Sequence, residues 1–264
     1  MRILEKIDAE KELVNIDNWI KEYFAKNGPK AKAVIGISGG KDSTIAAMML
    51  VKALGKDRVI GIKMPNGVQK DIRDANTVCD VLGIKSYTID ISDICNEFYD
   101  TFDAFTNEDR DSSTAINTPP RVRMTILYMM AATVGGRVVN TSNASESYVG
   151  YCTKFGDLAG DLALLKNYYV REVIAMGEKL LEDFPGMPSA LIDKAPADGL
   201  TDLTDEEKLG FSYEELDGMI LDKVYPSAEK VALIEAKRQM AQHKLSCICI
   251  PGPYPERNEG KWSF

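Results

Sequence analysis

Histidine is all but missing from this sequence: His243 is the only one in 264 residues. That removes metal centres built on paired imidazoles and leaves a hydrolytic triad a single possible base. Cysteine is sparse too. Cys79, Cys95, Cys152, Cys247 and Cys249 make an odd count with no CxxC pair, so free thiols in a reducing cytoplasm are expected. Cys247 and Cys249 could touch a metal, but no partner spacing accompanies them. No apolar run approaches the roughly 20 residues that span a bilayer. The opening "MRILEKIDAEKEL" alternates charged and apolar residues, unlike a signal peptide. Positive charge is short: 32 Lys and Arg against 40 Asp and Glu leave a net −8, which argues against a nucleic-acid partner.

What remains is ordinary for a globular chain, 45% apolar and 27% charged. Residues 5 to 26 place Ile7, Leu13, Ile16, Trp19, Ile20, Tyr23 and Phe24 at helical spacing. Strands are predicted at Ala33 to Ile37, Arg58 to Met64, Ile84 to Asp90 and in "RVVNTS", with helices between them. "TNEDRDSSTAINTPP" reads as a loop whose prolines, Pro119 and Pro120, open a helix from Arg121 to Val134. Asn167 is expected to cap a helix to about Glu182. Residues 185 to 210, rich in Pro, Gly and Asp, are expected to form a mobile loop, and 245 to 264 a tail. There is no internal repeat. The whole is read as one domain, 1 to 264, with a doubly wound, Rossmann-like α/β fold: a parallel sheet, helices on both faces, and a ligand at the strands' C-terminal edge.

"AVIGISGGKDSTIAA", Ala33 to Ala47, is the stretch where chemistry shows. It reads as strand, glycine loop and helix start, the junction at which α/β proteins bind anions. A Walker A loop is excluded, because only three residues separate Gly36 from Gly40 and Asp42 follows Lys41. A nucleophile elbow fits GxSxG at Gly36 to Gly40, with His243 as a formally possible base. It leaves Lys41, Asp42, Ser43 and Thr44 without a purpose. The third reading uses them. Ser38 to Ser43 matches SGGxDS, the loop of the PP-loop ATP pyrophosphatases. Glycines let N–H groups approach a phosphate chain, hydroxyls of Ser38 and Ser43 add donors, and the helix dipole favours the charge. A carboxylate there would repel phosphate unless a cation lies between, so Asp42 points to Mg²⁺.

Taken in order, "NTPPRVRM", "NTSNASE", "GYCTKFGDLAGD", "KAPADGLTDLTDEEKLGFSYEELD" and "QHKLS" resemble the NAD synthetases, a PP-loop family with the adenine nucleotide alpha hydrolase-like fold. The resemblance runs from about Asp17 to Lys244. It implies ATP-dependent amidation of deamido-NAD⁺ by ammonia, through an adenylated carboxylate, giving NAD⁺, AMP and pyrophosphate. By the same resemblance, Gly36, Ile37, Ser38, Gly39, Gly40, Lys41, Asp42 and Ser43 hold the ATP phosphates, and Thr141 touches ATP. Asp42 and Glu146 bind Mg²⁺. Arg121, Lys154, Asp161, His243 and Lys244 contact the dinucleotide, with Tyr23 and Tyr128 on its binding surface at a homodimer interface. Asp157 is placed to orient or deprotonate the incoming amine, making Asp42, Lys154 and Asp157 the expected catalytic set.

Residue by residue, plainer readings stand beside these: Arg121 as a solvated first-turn charge, Tyr128 as core, Asp157 and Asp161 as an exposed acidic face, His243 as structural. Two departures from the family pattern matter. Val170 stands where many members have a phosphate-binding Lys, and Ala197 where many have Ser or Thr. Lys41 or Lys166 is expected to supply the missing cation. Only about 30 residues precede the first strand, too few for a glutaminase domain, so free ammonia is the expected donor. Another PP-loop amidoligase or thiolase, or a nucleotide-binding module without turnover, are the competing functions.

Overall fold

A computed structural model describes residues 7–69, 71–194 and 204–245. Five parallel strands form its centre: β1 (Ala33–Gly36), β2 (Val59–Lys63), β3 (Lys85–Thr88), β4 (Arg137–Asn140) and β5 (Leu162–Ala163). Their order is β3-β2-β1-β4-β5, so chain direction across the sheet reverses between β1 and β4. Alternation along β1 sends Ala33 and Ile35 to one face and Val34 to the other. Helices α1 (Ala9–Asn27), α2 (Lys41–Leu54), α3 (Ile72–Leu82) and α7 (Val170–Leu180) pack on the first face around Ile20, Phe24, Met48 and Leu180. Helices α4 (Ser92–Phe105) and α5 (Ser112–Val134) cover the second through Cys95, Val122 and Ala131. A doubly wound α/β fold results.

A third, smaller apolar cluster lies beyond the sheet. Short helices α6 (Ala144–Val149), α8 (Asp205–Leu209) and α9 (Tyr213–Asp217) meet α7 and the long α10 (Ala228–Leu245) around Val149, Val170, Phe211, Leu216 and Ile234. Gly150 marks how closely α10 approaches: a Cβ there would lie 2.1 Å from that of Ala241.

Several expectations change. α5 starts at Ser112, nine residues before Arg121, because Asp111 caps it by accepting from the Thr114 N–H at 2.9 Å. Pro119 and Pro120 therefore lie inside the helix. Pro119 can donate nothing to the carbonyl of Ala115, and the Tyr99 hydroxyl donates to it instead, at 3.3 Å. Asn167 is not a cap; α7 begins after Tyr169, whose N–H donates to Glu172 Oε2. The short edge strand β5 adds a fifth strand to the four read from sequence. Of the expected mobile loop, 185 to 194 packs through Met187, Leu191 and Ile192, all buried. Thr204 and Glu207 cap α8 reciprocally. Residues 195 to 203, with Pro196 and Ala197, lie outside the described residues, as do Cys247, Cys249 and the tail from 246.

Candidate active site

The reversal of strand order between β1 and β4 opens a crevice at their C-terminal ends, where doubly wound sheets take ligands. Two helix N-termini meet there, α2 after β1 and α6 after β4. The loop entering α2 is internally braced. Ser38 and Ser43 hydroxyls lie 3.1 Å apart, the Gly40 N–H donates to Ser38 Oγ, and Ser43 and Thr44 hydroxyls donate to the Gly40 carbonyl. Gly39 has φ +84° and abuts the start of α3: a Cβ there would lie 2.6 Å from the Asp71 carbonyl oxygen and 2.9 Å from the Ala75 nitrogen. Only glycine satisfies both constraints. The first-turn N–H groups of α2 have no intrahelical acceptor and face an anion's place. Gly36 ends β1, while Ile37 is core: its side chain is buried and its N–H donates to Ile62 O.

Charge gathers just inside this loop. Lys41 is 3% exposed, and its Nζ lies 2.8 Å from Asp42 Oδ2. Burial works against its charge, but Asp42, Glu146 and Asp205 outweigh that and raise its pKa. Asn143, fully buried, holds the two expected metal ligands together. Its side chain caps the Glu146 N–H, Glu146 Oε2 accepts from the Asn143 N–H, and Asn143 Nδ2 donates to Asp42 Oδ1 at 3.4 Å. Burial, then the neighbouring Asp42 carboxylate, push the Glu146 carboxyl up to about 8. Lys41 is set among the carboxyl groups of Asp42, Glu146 and Asp205, and a dication beside Asp42 and Glu146 would ease the repulsion between those two. Among the described residues no three His, Cys, Asp or Glu side chains form a cage by themselves. A cation here would draw on phosphate and water, the habit of Mg²⁺. The residues fit the metal that the sequence implied.

A second group sits alongside. Asp157 is open to water although protein surrounds it, as a group lining a concavity is. The Thr153 N–H donates to its Oδ1 at 2.6 Å, and Asn140 Nδ2 fixes its carbonyl. Surrounding protein raises the Asp157 pKa, opposed by the Thr153 hydrogen bond and by Lys244; the charge of Asp157 is felt at Glu146. Lys244 Nζ donates to the carbonyls of Gly150 and Cys152. Lys154 Nζ donates to the His243 carbonyl at 2.6 Å, and Arg121 Nε to that of Lys154 at 3.4 Å. Arg121, Lys154, Asp157, His243 and Lys244 thus converge from α5, the 150–157 loop and α10. Thr141 follows β4 at the crevice mouth.

Tyr23, Tyr128 and Asp161 form a third group at the β5 edge. The Tyr23 hydroxyl donates to the Asp161 carbonyl at 3.1 Å, and Asp161 is felt electrostatically at Tyr128. The Asp161 carboxylate accepts from the Val138 N–H at 2.7 Å, serving as a ladder partner for β4. Val170 is buried in the apolar third cluster, so it offers no place for a phosphate-binding cation.

Sequence reading missed Asn143, Asp205 and Tyr213. Asn143-x-x-Glu146 is a capping-box spacing and was readable. Asp205, 5% exposed and accepting from the Tyr151 hydroxyl at 3.0 Å, and Tyr213 reach the crevice only through tertiary packing.

Sheet, glycine loop and carboxylate cluster are those of a nucleotide-binding α/β protein with its crevice at the switch point. The family described as NAD synthase matches residues 12–249. Curated relatives include the NH₃-dependent NAD⁺ synthetase of Pyrococcus furiosus, 39% identical over 82% of this chain and 79% of its own. That of Methanosarcina mazei is 35% identical over 94% of this chain and all of its own. A solved NMN synthetase from Francisella tularensis superposes with a TM-score of 0.83 at 32% identity, covering 93% of this chain and 99% of that one. The chain belongs to the NAD synthase family.

Proposed function

We propose that this protein is a C–N ligase that amidates deamido-NAD⁺ with ammonia, cleaving ATP between its α and β phosphates to give NAD⁺, AMP and pyrophosphate. Family membership over nearly the whole chain supports it, and the observation that carries the chemistry is the crevice itself. The braced loop from Ser38 to Ser43 and the α2 N-terminus suit a triphosphate. Asp42 and Glu146 would hold Mg²⁺, which when bound offsets the repulsion between the nicotinate carboxylate and the α phosphate. Lys41 pairs with Asp42 and holds its carboxylate. The nicotinate carboxylate attacks the α phosphorus and pyrophosphate leaves, forming the adenylated carboxylate. Ammonium, the dominant form at neutral pH, is drawn to Asp157, which accepts its proton; ammonia then attacks the acyl carbon, AMP leaves with the acyl–oxygen bonding pair, and the extra proton on the new C–N nitrogen passes to water. Lys154, His243, Lys244 and Arg121 flank this end and suit the anionic dinucleotide.

A homodimer completes the reading: Tyr23, Tyr128 and Asp161 stand together at the β5 edge, away from the phosphate loop, where a second copy would bring its own crevice. The chain acts as one domain in the cytoplasm, in keeping with the free thiols of Cys79, Cys95 and Cys152; no helix among the described residues is long and apolar enough to cross a membrane. The likeness to an NMN synthetase makes the corresponding mononucleotide the competing substrate. Incubation with ATP, Mg²⁺, ammonium and either acid tests both. NAD⁺, AMP and pyrophosphate in equal amounts from the dinucleotide support the proposal; turnover of the mononucleotide alone, or of neither, refutes it.

A further inference from the structure

Tyr213 is 2% exposed, and its hydroxyl is a buried polar atom with no hydrogen-bond partner. Native proteins keep few such groups, because each forfeits its hydration for nothing in return. Packing alone does not explain it: phenylalanine would fill the same space beside Val149, Leu209 and Leu216 without a stranded hydroxyl. The ring arrives on α9, held by a reciprocal cap between Ser212 and Glu215, and it shares the third apolar cluster with Val149, at the end of the helix that carries Glu146. Among the charges that its hydroxyl feels, Glu146 is strongest, followed by Asp205, with Asp42 weaker. Glu146 has one oxygen, Oε2, engaged by the Asn143 N–H. Helix α9 packs on α6, so the hydroxyl is an unused donor against the helix that carries Glu146.

We infer that Tyr213 is a positioning residue for the metal-binding carboxylate: when the cation and ATP are bound, its hydroxyl donates to Glu146 and fixes the rotamer that ligates. This rests on the assignment of Asp42 and Glu146 as the Mg²⁺ pair. A ligating carboxylate is normally held by an outer hydrogen bond of this kind, and loss of such a partner weakens metal binding roughly 10- to 100-fold. The cost of an unpaired donor is then tolerated for the loaded state, and it places Tyr213 in a different category from its apolar neighbours.

The test uses the full chain, Mn²⁺ as a paramagnetic stand-in for Mg²⁺, and α,β-methylene-ATP, which is not cleaved. Mn²⁺ affinity is titrated by electron paramagnetic resonance, and unfolding is followed without ligand. Tyr213→Phe is expected to unfold at the same or a higher temperature while binding Mn²⁺ about tenfold more weakly. Glu146→Gln should weaken binding further, and the double variant should be no worse than Glu146→Gln alone. Unchanged Mn²⁺ affinity in Tyr213→Phe, with Glu146→Gln impaired, overturns the inference. Fully additive losses overturn it too, since Tyr213 would then act elsewhere. Unchanged affinity in Glu146→Gln overturns the metal pair itself.

Discussion

Replacing Gly39 by alanine tests whether the phosphate loop is held in place by α3. The perturbation is one methyl group. It would be forced to φ +84°, a region costing an L-residue about 1–2 kcal/mol. It would also sit 2.6 Å from the Asp71 carbonyl oxygen and 2.9 Å from the Ala75 nitrogen. Ordinary contact begins near 3.5 Å, so loop and helix must part by about 1 Å. Both obstacles are backbone atoms, which cannot rotate away. Lys194 stiffens them further, since its Nζ bridges the carboxylates of Asp71 and Asp74 at the start of α3. Overpacking of this kind adds about 1–3 kcal/mol, for a total of about 2–5 kcal/mol. A 1 Å shift of the loop is enough to lower turnover by about 10². Gly40→Ala is the control, because Gly40 has φ −87° and its Cβ would meet only the Ser38 hydroxyl at 3.3 Å. It should cost about 1 kcal/mol or less. Urea unfolding gives the stabilities, and ATP-dependent pyrophosphate release gives the rates. If Gly39→Ala matched Gly40→Ala in both, the contact with α3 would not be what fixes the loop.

Three further outcomes follow from the same geometry. Asp42→Asn and Glu146→Gln should each reduce turnover by about 10²–10³ with the fold intact by circular dichroism; near-normal rates in both would end the metal assignment. Lys41→Ala should lower turnover at least tenfold, about 1.4 kcal/mol, and should also lower the melting temperature, because it leaves the Asp42 carboxylate without its buried partner. Val170→Lys should not rescue it: it places a charge in an apolar cluster, and a melting temperature equal to wild type would contradict that position. Asp217 supplies a pH dependence. Burial lifts its carboxyl to about 6 from an ordinary 3.8, so the folded state holds that proton more tightly than the unfolded chain. Stability from this site is fully present below about pH 4 and is lost, by roughly 3 kcal/mol, as pH rises through 6. Asp217→Asn should flatten that part of the stability profile; superimposable profiles for the two proteins would refute the shift.

Local signals decided much of this protein. Alternation of β-branched segments with helical periods is enough to imply a parallel sheet between helices, because strands joined through a helical crossover run in the same direction. Ser38 to Ser43 carries its chemistry in its own spacing: glycines, hydroxyls and one carboxylate at a strand-to-helix turn. The ordered fragments from "NTPPRVRM" to "QHKLS" extended that to a family. Tertiary structure decided what distance along the chain conceals. α5 runs back through Pro119 because Tyr99, on another helix, donates to the carbonyl that the proline leaves unpaired. Val170 turned out to be core, since its surroundings come from α9 and α10, dozens of residues away. Asp161 proved to be the ladder partner of Val138, a pairing that exists only once β5 lies beside β4. Residues 204 to 210 read as part of a loop in composition, yet the five-residue helix α8 forms there, too short to persist alone and stabilised by burying Leu209. Sequence records which groups a residue offers; which of them go unanswered, as with the hydroxyl of Tyr213, or crowd together, as do the carboxyl groups around Lys41, depends on neighbours that only folding brings within a few ångströms.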